Sequence, residues 1–196
     1  SAASDVYKRQ FYFIVPPEYH LSQNHVELLE KIRMKLLKDP PDLSTDVSLA
    51  KQQVQVRIED LLAEEIVEKK LQLTQEEAKL LASYLTRFTA GLGVMDLLLA
   101  DSKIQDIYVD APCGESPIHI YHQDFEECET NIYLTEDDLE ALVSKFRFIS
   151  GRPFSEANPV LDMEISGARV ALVGPSLSPQ GVALAIRSHK PTPWTL

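Results

Sequence analysis

Positive charge is scarce in this 196-residue chain. Against 30 aspartates and glutamates stand 19 lysines and arginines, leaving a net charge of -11. That balance argues against nucleic acid as the main ligand, because a phosphate backbone calls for a basic surface, but it leaves room for one local basic pocket. Cysteine is rarer still. Cys113 and Cys128 are neither a metal-spaced pair nor a dense disulfide set, and are expected to be reduced, structural thiols. The histidines His20, His25, His119, His122 and His189 are scattered; His119 and His122 could share a site only by an accident of strand and turn, so no metal site is expected. No apolar run reaches the roughly 20 residues that span a bilayer; the stretch around Met95 to Ala100 is far shorter. No secretory signal is visible, since Phe11 to Val15 is brief and meets Pro16 and Pro17. Any membrane association would therefore run through a protein partner.

Glycine is also sparse. None of Gly91, Gly93, Gly114, Gly151, Gly167, Gly174 or Gly181 belongs to a G-x-x-x-x-G-K-[ST] phosphate-binding loop, so the backbone cradle and the metal-holding hydroxyl of that motif are missing. Ser-His-Asp and Cys-His arrangements are missing too. The pair Asp137-Asp138 falls in the first turn of a helix, where it complements the dipole.

Hydrophobic residues make up 44% of the chain, enough to bury a core, and the length suits one ordinary domain or two small ones. Residues 1–10, SAASDVYKRQ, carry no periodicity; they read as a non-native leader and are set aside. Phe11 to Val15 reads as one strand or an extended arm. Ser22 opens a helical pattern of Val26, Leu28, Leu29, Ile32, Leu36 and Leu37, stopped by Pro40-Pro41. Asp46 or Ser44 caps a second helix with Val54, Ile58, Leu61, Leu62 and Ile66 inside and charges outside. Thr74 with Glu77 forms a capping box for a third, ended by Gly91 and Gly93. Beyond a short helix at Met95 to Leu99 the texture changes to strands: Ile104 to Val109, Ile118 to Tyr121, Asn131 to Leu134, Val160 to Ile165, Arg169 to Val173 and Val182 to Ile186. A helix capped by Thr135 and Asp138 and stopped at Gly151 interrupts them, and Ser166-Gly167 makes a tight turn. The fold class is α+β: a three-helix unit, then a small mixed sheet with a covering helix. The boundaries are 11–92 for the helical domain, 93–190 for the sheet domain, and 191–196 for the start of a further element, where Thr192-Pro193 reads as a hydroxyl N-cap with proline at the first helical position.

From Gly91 onward the chain resembles the type II/type IV secretion ATPase superfamily, the motors of type II secretion and of type IV, tight-adherence and archaeal filaments, most nearly the archaeal and tight-adherence branch. Six segments in order carry the resemblance: Gly93 to Leu99 before Ile104 to Val109; Ile118 to His122; Thr130 to Ile132 before the helix ending in Ser150-Gly151-Arg152; Pro159 to Asp162 with Gly167 to Val170; Gly181 with Ala185-Ile186-Arg187; and Pro191 to Leu196. Ser166-Gly167-Ala168-Arg169 departs from the acidic turn usual there.

The resemblance implies a PAS-like N-terminal domain that sits on a RecA-like ATPase core of the same, longer chain and packs into a hexameric ring of identical subunits. ATP and Mg2+ lie between the two domains, and hydrolysis belongs to the core, so the present chain is expected neither to bind a cofactor alone nor to hydrolyse ATP. By position, Arg152, Arg169 and Arg187 are the expected phosphate contacts. The helical part is expected to dock a polytopic membrane platform protein, which places the protein in the cytoplasm at the inner face of the membrane. The alternative is a stand-alone PAS-like sensor or adaptor that binds a small ligand or a protein.

Overall fold

The computed structural model of the chain describes residues 10–41 and 44–188. The stretch set aside as a leader, apart from Gln10, and the Thr192-Pro193 helix start lie outside the described residues, as does His189. Two compact units emerge: Val15–Leu97, and Ser1–Ile14 with Leu98–Leu196.

The first unit is helical. A short 3-10 turn, Pro17–His20, precedes α1 (Gln23–Lys38), α2 (Val47–Lys69) and α3 (Gln75–Thr89), and a short α4 (Met95–Leu99) follows them along the chain. Each start is fixed by a local hydrogen bond. Ser22 Oγ accepts from His25 N, the Asp46 carboxylate accepts from the Ser48 and Leu49 amides, and Thr74 Oγ1 accepts from Glu77 N while Glu77 reaches back to Thr74. The expected apolar stripes converge. Ile32, Val54, Ile58, Leu62 and Leu81 are at most 1% exposed and form one cluster with Leu28, Leu36, Leu61 and Leu85. Removing a side chain such as Ile58 down to Ala would cost about 2–5 kcal/mol through lost burial and a cavity.

One charged group lies inside this helical unit. Glu65 of α2 is fully buried, and Lys31 and Lys35 of α1 reach it at 2.5 and 2.7 Å. The Lys31 contact, then that of Lys35, holds the Glu65 carboxyl below its ordinary range. Arg87 and Glu18, both largely buried, make a second pair at 2.7 Å.

The second unit is a seven-stranded sheet in the order β1-β4-β3-β2-β7-β6-β5, with β1 Gln10–Tyr12, β2 Ile104–Val109, β3 His119–His122, β4 Glu126–Thr130, β5 Val160–Ile165, β6 Ala168–Val173 and β7 Ala183–Ser188. Every pairing is antiparallel except β1 with β4, which makes the sheet mixed. Alternation sorts the two faces. Inward residues line up across the register, Cys128–Ile120–Ile107–Ile186–Val170–Met163, all buried. Helix α5 (Glu136–Ser150), capped by Thr135 with Asp138, buries Leu139, Leu142 and Phe146 and ends on Gly151 at φ 63°. Ser166 and Gly167, at φ 48° and 77°, make the two-residue turn that joins β5 to β6.

The third strand differs from expectation. Asn131 to Leu134 is not a strand; the charged run Glu126–Thr130 is. Ile132 and Leu134 imitate strand alternation, but Glu126–Thr130 is the segment that buries Cys128 and Thr130 and lies hydrogen-bonded between β3 and β1. Asn131 instead clasps the end of the first strand. Its side-chain amide accepts from Ile14 N at 2.8 Å and donates to Ile14 O at 2.9 Å. That strand is further held by Tyr12, whose hydroxyl donates to Asp101 at 2.7 Å and is pushed up to about 12 by burial and then by that carboxylate. Gln10, counted with the leader in the sequence, opens this strand opposite Cys128.

Candidate functional site

The three arginines singled out in the sequence gather in one place. In β6 the buried Ala168, Val170 and Leu172 force Arg169 outward; in β7 the buried Leu184 and Ile186 do the same for Arg187. The register sets Arg169 directly opposite Arg187, next to the small pair Ala171 and Ala185. Two like charges in that position repel each other. Carboxylates on the flanking strands compensate. Arg169 Nε donates to Asp162 Oδ1 of β5 at 2.9 Å while its Nη2 donates to Oδ2, a two-pronged pair. Arg187 Nε donates to Asp106 Oδ1 of β2 at 2.6 Å. Arg152 arrives from elsewhere. It follows Gly151 at the end of α5, and its Nη1 donates to the backbone oxygen of Asp162 at 2.7 Å. Asp162 thus holds two of the three arginines.

The electrostatics follow from these contacts. Arg169, with Arg152 adding to it, keeps the Asp162 carboxyl below the usual carboxylate range. Asp162 raises Arg169, and Asp106 with the Tyr108 hydroxyl raises Arg187, so both remain charged. The guanidinium groups stay open to solvent: the side chains of Arg169 and Arg187 are 59% and 69% exposed, while that of Asp106 is 15% exposed. A planar cation with several aligned N–H groups suits phosphate or carboxylate oxygens. A charge-compensated row of this kind can hold a polyanion.

Sequence reasoning missed the carboxylates. Asp162 was within reach of hairpin arithmetic: a two-residue turn at Ser166-Gly167 sets Glu164 opposite Arg169 and places Asp162 diagonally on the same face. Asp106 gave no local signal, being 81 residues from Arg187. Elsewhere, His119 and His122 point to opposite faces of β3, and His122 is buried against Tyr12 and Phe125. Both cysteines are free thiols; Cys113 is half-buried and Cys128 buried. Among the described residues no group of three or more His, Cys, Asp or Glu side chains is placed to hold a metal ion, and no helix is long and apolar enough to cross a membrane. A groove of about 670 Å³ is lined by Tyr108, His119, Tyr121, Glu127 and Glu129, among others.

No family model matches the chain. Among curated proteins it is similar to three uncharacterized proteins of Methanocaldococcus jannaschii. It is 27% identical to MJ1288 over 165 residues, covering 81% of this chain and 61% of that protein. It is 31% identical to MJ0900 over 129 residues, 63% of this chain and 22% of that one. To MJ0781 it is 25% identical over 117 residues, 59% and 16%. The chain therefore spans less than two thirds of the length of each. Among solved structures it is similar to the VirB11 ATPase of the Brucella suis type IV secretion system, crystallised with sulphate, at 21% identity and a TM-score of 0.42, over 52% of this chain and 30% of that one.

Proposed function

We propose that the sheet unit presents Arg152, Arg169 and Arg187 to the phosphates of a nucleotide, as the N-terminal part of a secretion or filament-assembly ATPase. The observation that carries this reading is the convergence of the three arginines. Residues 152, 169 and 187, from separate segments of the sequence, meet around Asp162 and Asp106 on one solvent-facing surface. The ordered run of six family-like segments supports it. In this reading a RecA-like core carries the phosphate-binding loop, holds ATP and Mg2+, and hydrolyses the nucleotide. The arginines stabilise phosphoryl charge from outside it. Identical subunits form a hexameric ring. The helical unit docks a membrane platform protein in the cytoplasm, its acidic surface meeting basic loops.

The test joins this chain to such a core and replaces Arg169 and Arg187 by Ala. ATP turnover is expected to fall by at least about tenfold; turnover at the parent level contradicts the reading. The groove beside Tyr108 and Tyr121 favours the second reading, a sensor or adaptor for a small ligand. Under that reading the double replacement leaves turnover untouched, while Tyr121→Ala removes ligand binding.

A further inference from the structure

The two carboxylates that neutralise the arginine pair are not equivalent. Asp106 is 15% exposed in its side chain and meets Arg187 at Nε. It sits in β2, paired on both sides by β3 and β7, and has little room to leave. Asp162 is 41% exposed, lies on β5 at the edge of the sheet, and grips Arg169 through both of its oxygens. Two carboxylate oxygens on one edge of a guanidinium occupy the same donors that two oxygens of a phosphate group would take. Rotating Asp162 into water costs it little, because exposed ion pairs contribute little net stability. Its departure would leave Arg169 beside Arg187 with only the cross-strand Glu164 carboxylate near it and no anion gripping its fork from two sides, a repulsion that an incoming polyanion relieves.

Resting on the phosphate reading of this face, we infer that Asp162 is an internal stand-in for the ligand: it occupies the Arg169 fork when the site is empty and yields it to the terminal phosphate of a polyphosphate. Asp106, by contrast, is a fixed positioning residue that keeps Arg187 aimed. The exchange makes the site selective for ligands that offer at least two oxygens to one guanidinium, so tripolyphosphate binds and chloride does not. It also couples occupancy to Arg152, whose hydrogen bond to the Asp162 backbone ties the end of α5 to the strand that changes partner.

The experiment is calorimetric titration of inorganic tripolyphosphate into the full chain at low salt, with melting curves for each variant. Asp162→Asn is expected to bind about threefold to tenfold more tightly than the parent. The gain should vanish when Arg169→Ala is added. Glu27→Gln, an exposed position on α1, removes the same charge from the helical unit and should leave the affinity unchanged. Weaker or equal binding by Asp162→Asn overturns the proposal, because Asp162 would then be orienting Arg169 and not competing for it. An equal gain from Glu27→Gln overturns it as well, reducing the effect to net charge. Binding that survives Arg169→Ala with Arg187→Ala, or no binding by parent and Asp162→Asn alike, overturns the phosphate reading itself.

Discussion

The helical unit and the sheet unit use the same pairing, carboxylate with cation, to opposite ends. In the helical unit Glu65 is wholly buried and takes both its partners from one face of α1. A carboxylate in that position is tolerated only while its counter-charges stay, so the triad fixes how α1 and α2 pack. On the sheet, Asp162 and Arg169 make the better geometric pair, yet both are exposed. Water competes for that pair, and so can another anion. Burial, and not bond geometry, separates a structural ion pair from one available for exchange.

The largest expected effect breaks the buried side of that comparison. Replacing Lys31 and Lys35 by Ala strands the Glu65 carboxylate and should lower the melting temperature by about 10 °C. Glu65→Leu removes the charge with the cavity filled and should shift it far less. Equal losses from the two variants would show that the triad is not charge-limited. Next comes pH. Because the folded pKa of Glu65 lies below its ordinary 4.5, its contribution is present above that value and is lost as pH falls through the folded pKa. Lys31, raised above 10.5, contributes fully below that value and loses its share as pH climbs through the raised one. Helical-unit unfolding followed by circular dichroism should therefore be flat between these limits and steep at the acid end, and Glu65→Leu should flatten the acid limb.

Smaller effects sharpen the sheet side. Ser166 is a non-glycine residue at positive φ in the β5–β6 turn, so Ser166→Asn, better suited to that conformation, should stabilise by up to about 1 kcal/mol. Arg169→Ala is expected to move the melting temperature by no more than about 2 °C, since the pair is solvent-screened. A large drop there would mean that the exposed pair is structural after all.

Much of this fold was legible in the sequence where the signal is local. Ser22, Thr74 and Thr135 cap the helices they were expected to cap, and of the two candidates Asp46 and Ser44 it is Asp46 that caps α2, because each cap is a hydrogen bond spanning two or three residues. Strands β2, β5 and β6 follow from alternation, and their turn at Ser166-Gly167 from the dipeptide. Strand β4 was not legible. Its sequence, Glu-Glu-Cys-Glu-Thr, offers two buried side chains among three charges, and only its neighbours β3 and β1 make it a strand. The parallel pairing of β1, more than 100 residues away in sequence, leaves no local trace either. The site divides the same way. Arg152, Arg169 and Arg187 stood out against an acidic background, whereas the Asp106–Arg187 contact needs β2 and β7 to meet.

In the proposed function the exposed arginines, unlike the buried ion triad, exchange partners with phosphate. Nitrogen-detected NMR of the arginine Nε–H groups, with the lysine and glutamate side chains followed in the same sample, tests it during titration with tripolyphosphate. Saturable shifts are expected at Arg169 and Arg187, with Lys31, Lys35 and Glu65 unmoved. Silent arginines, or shifts of equal size at the helical lysines, would contradict it.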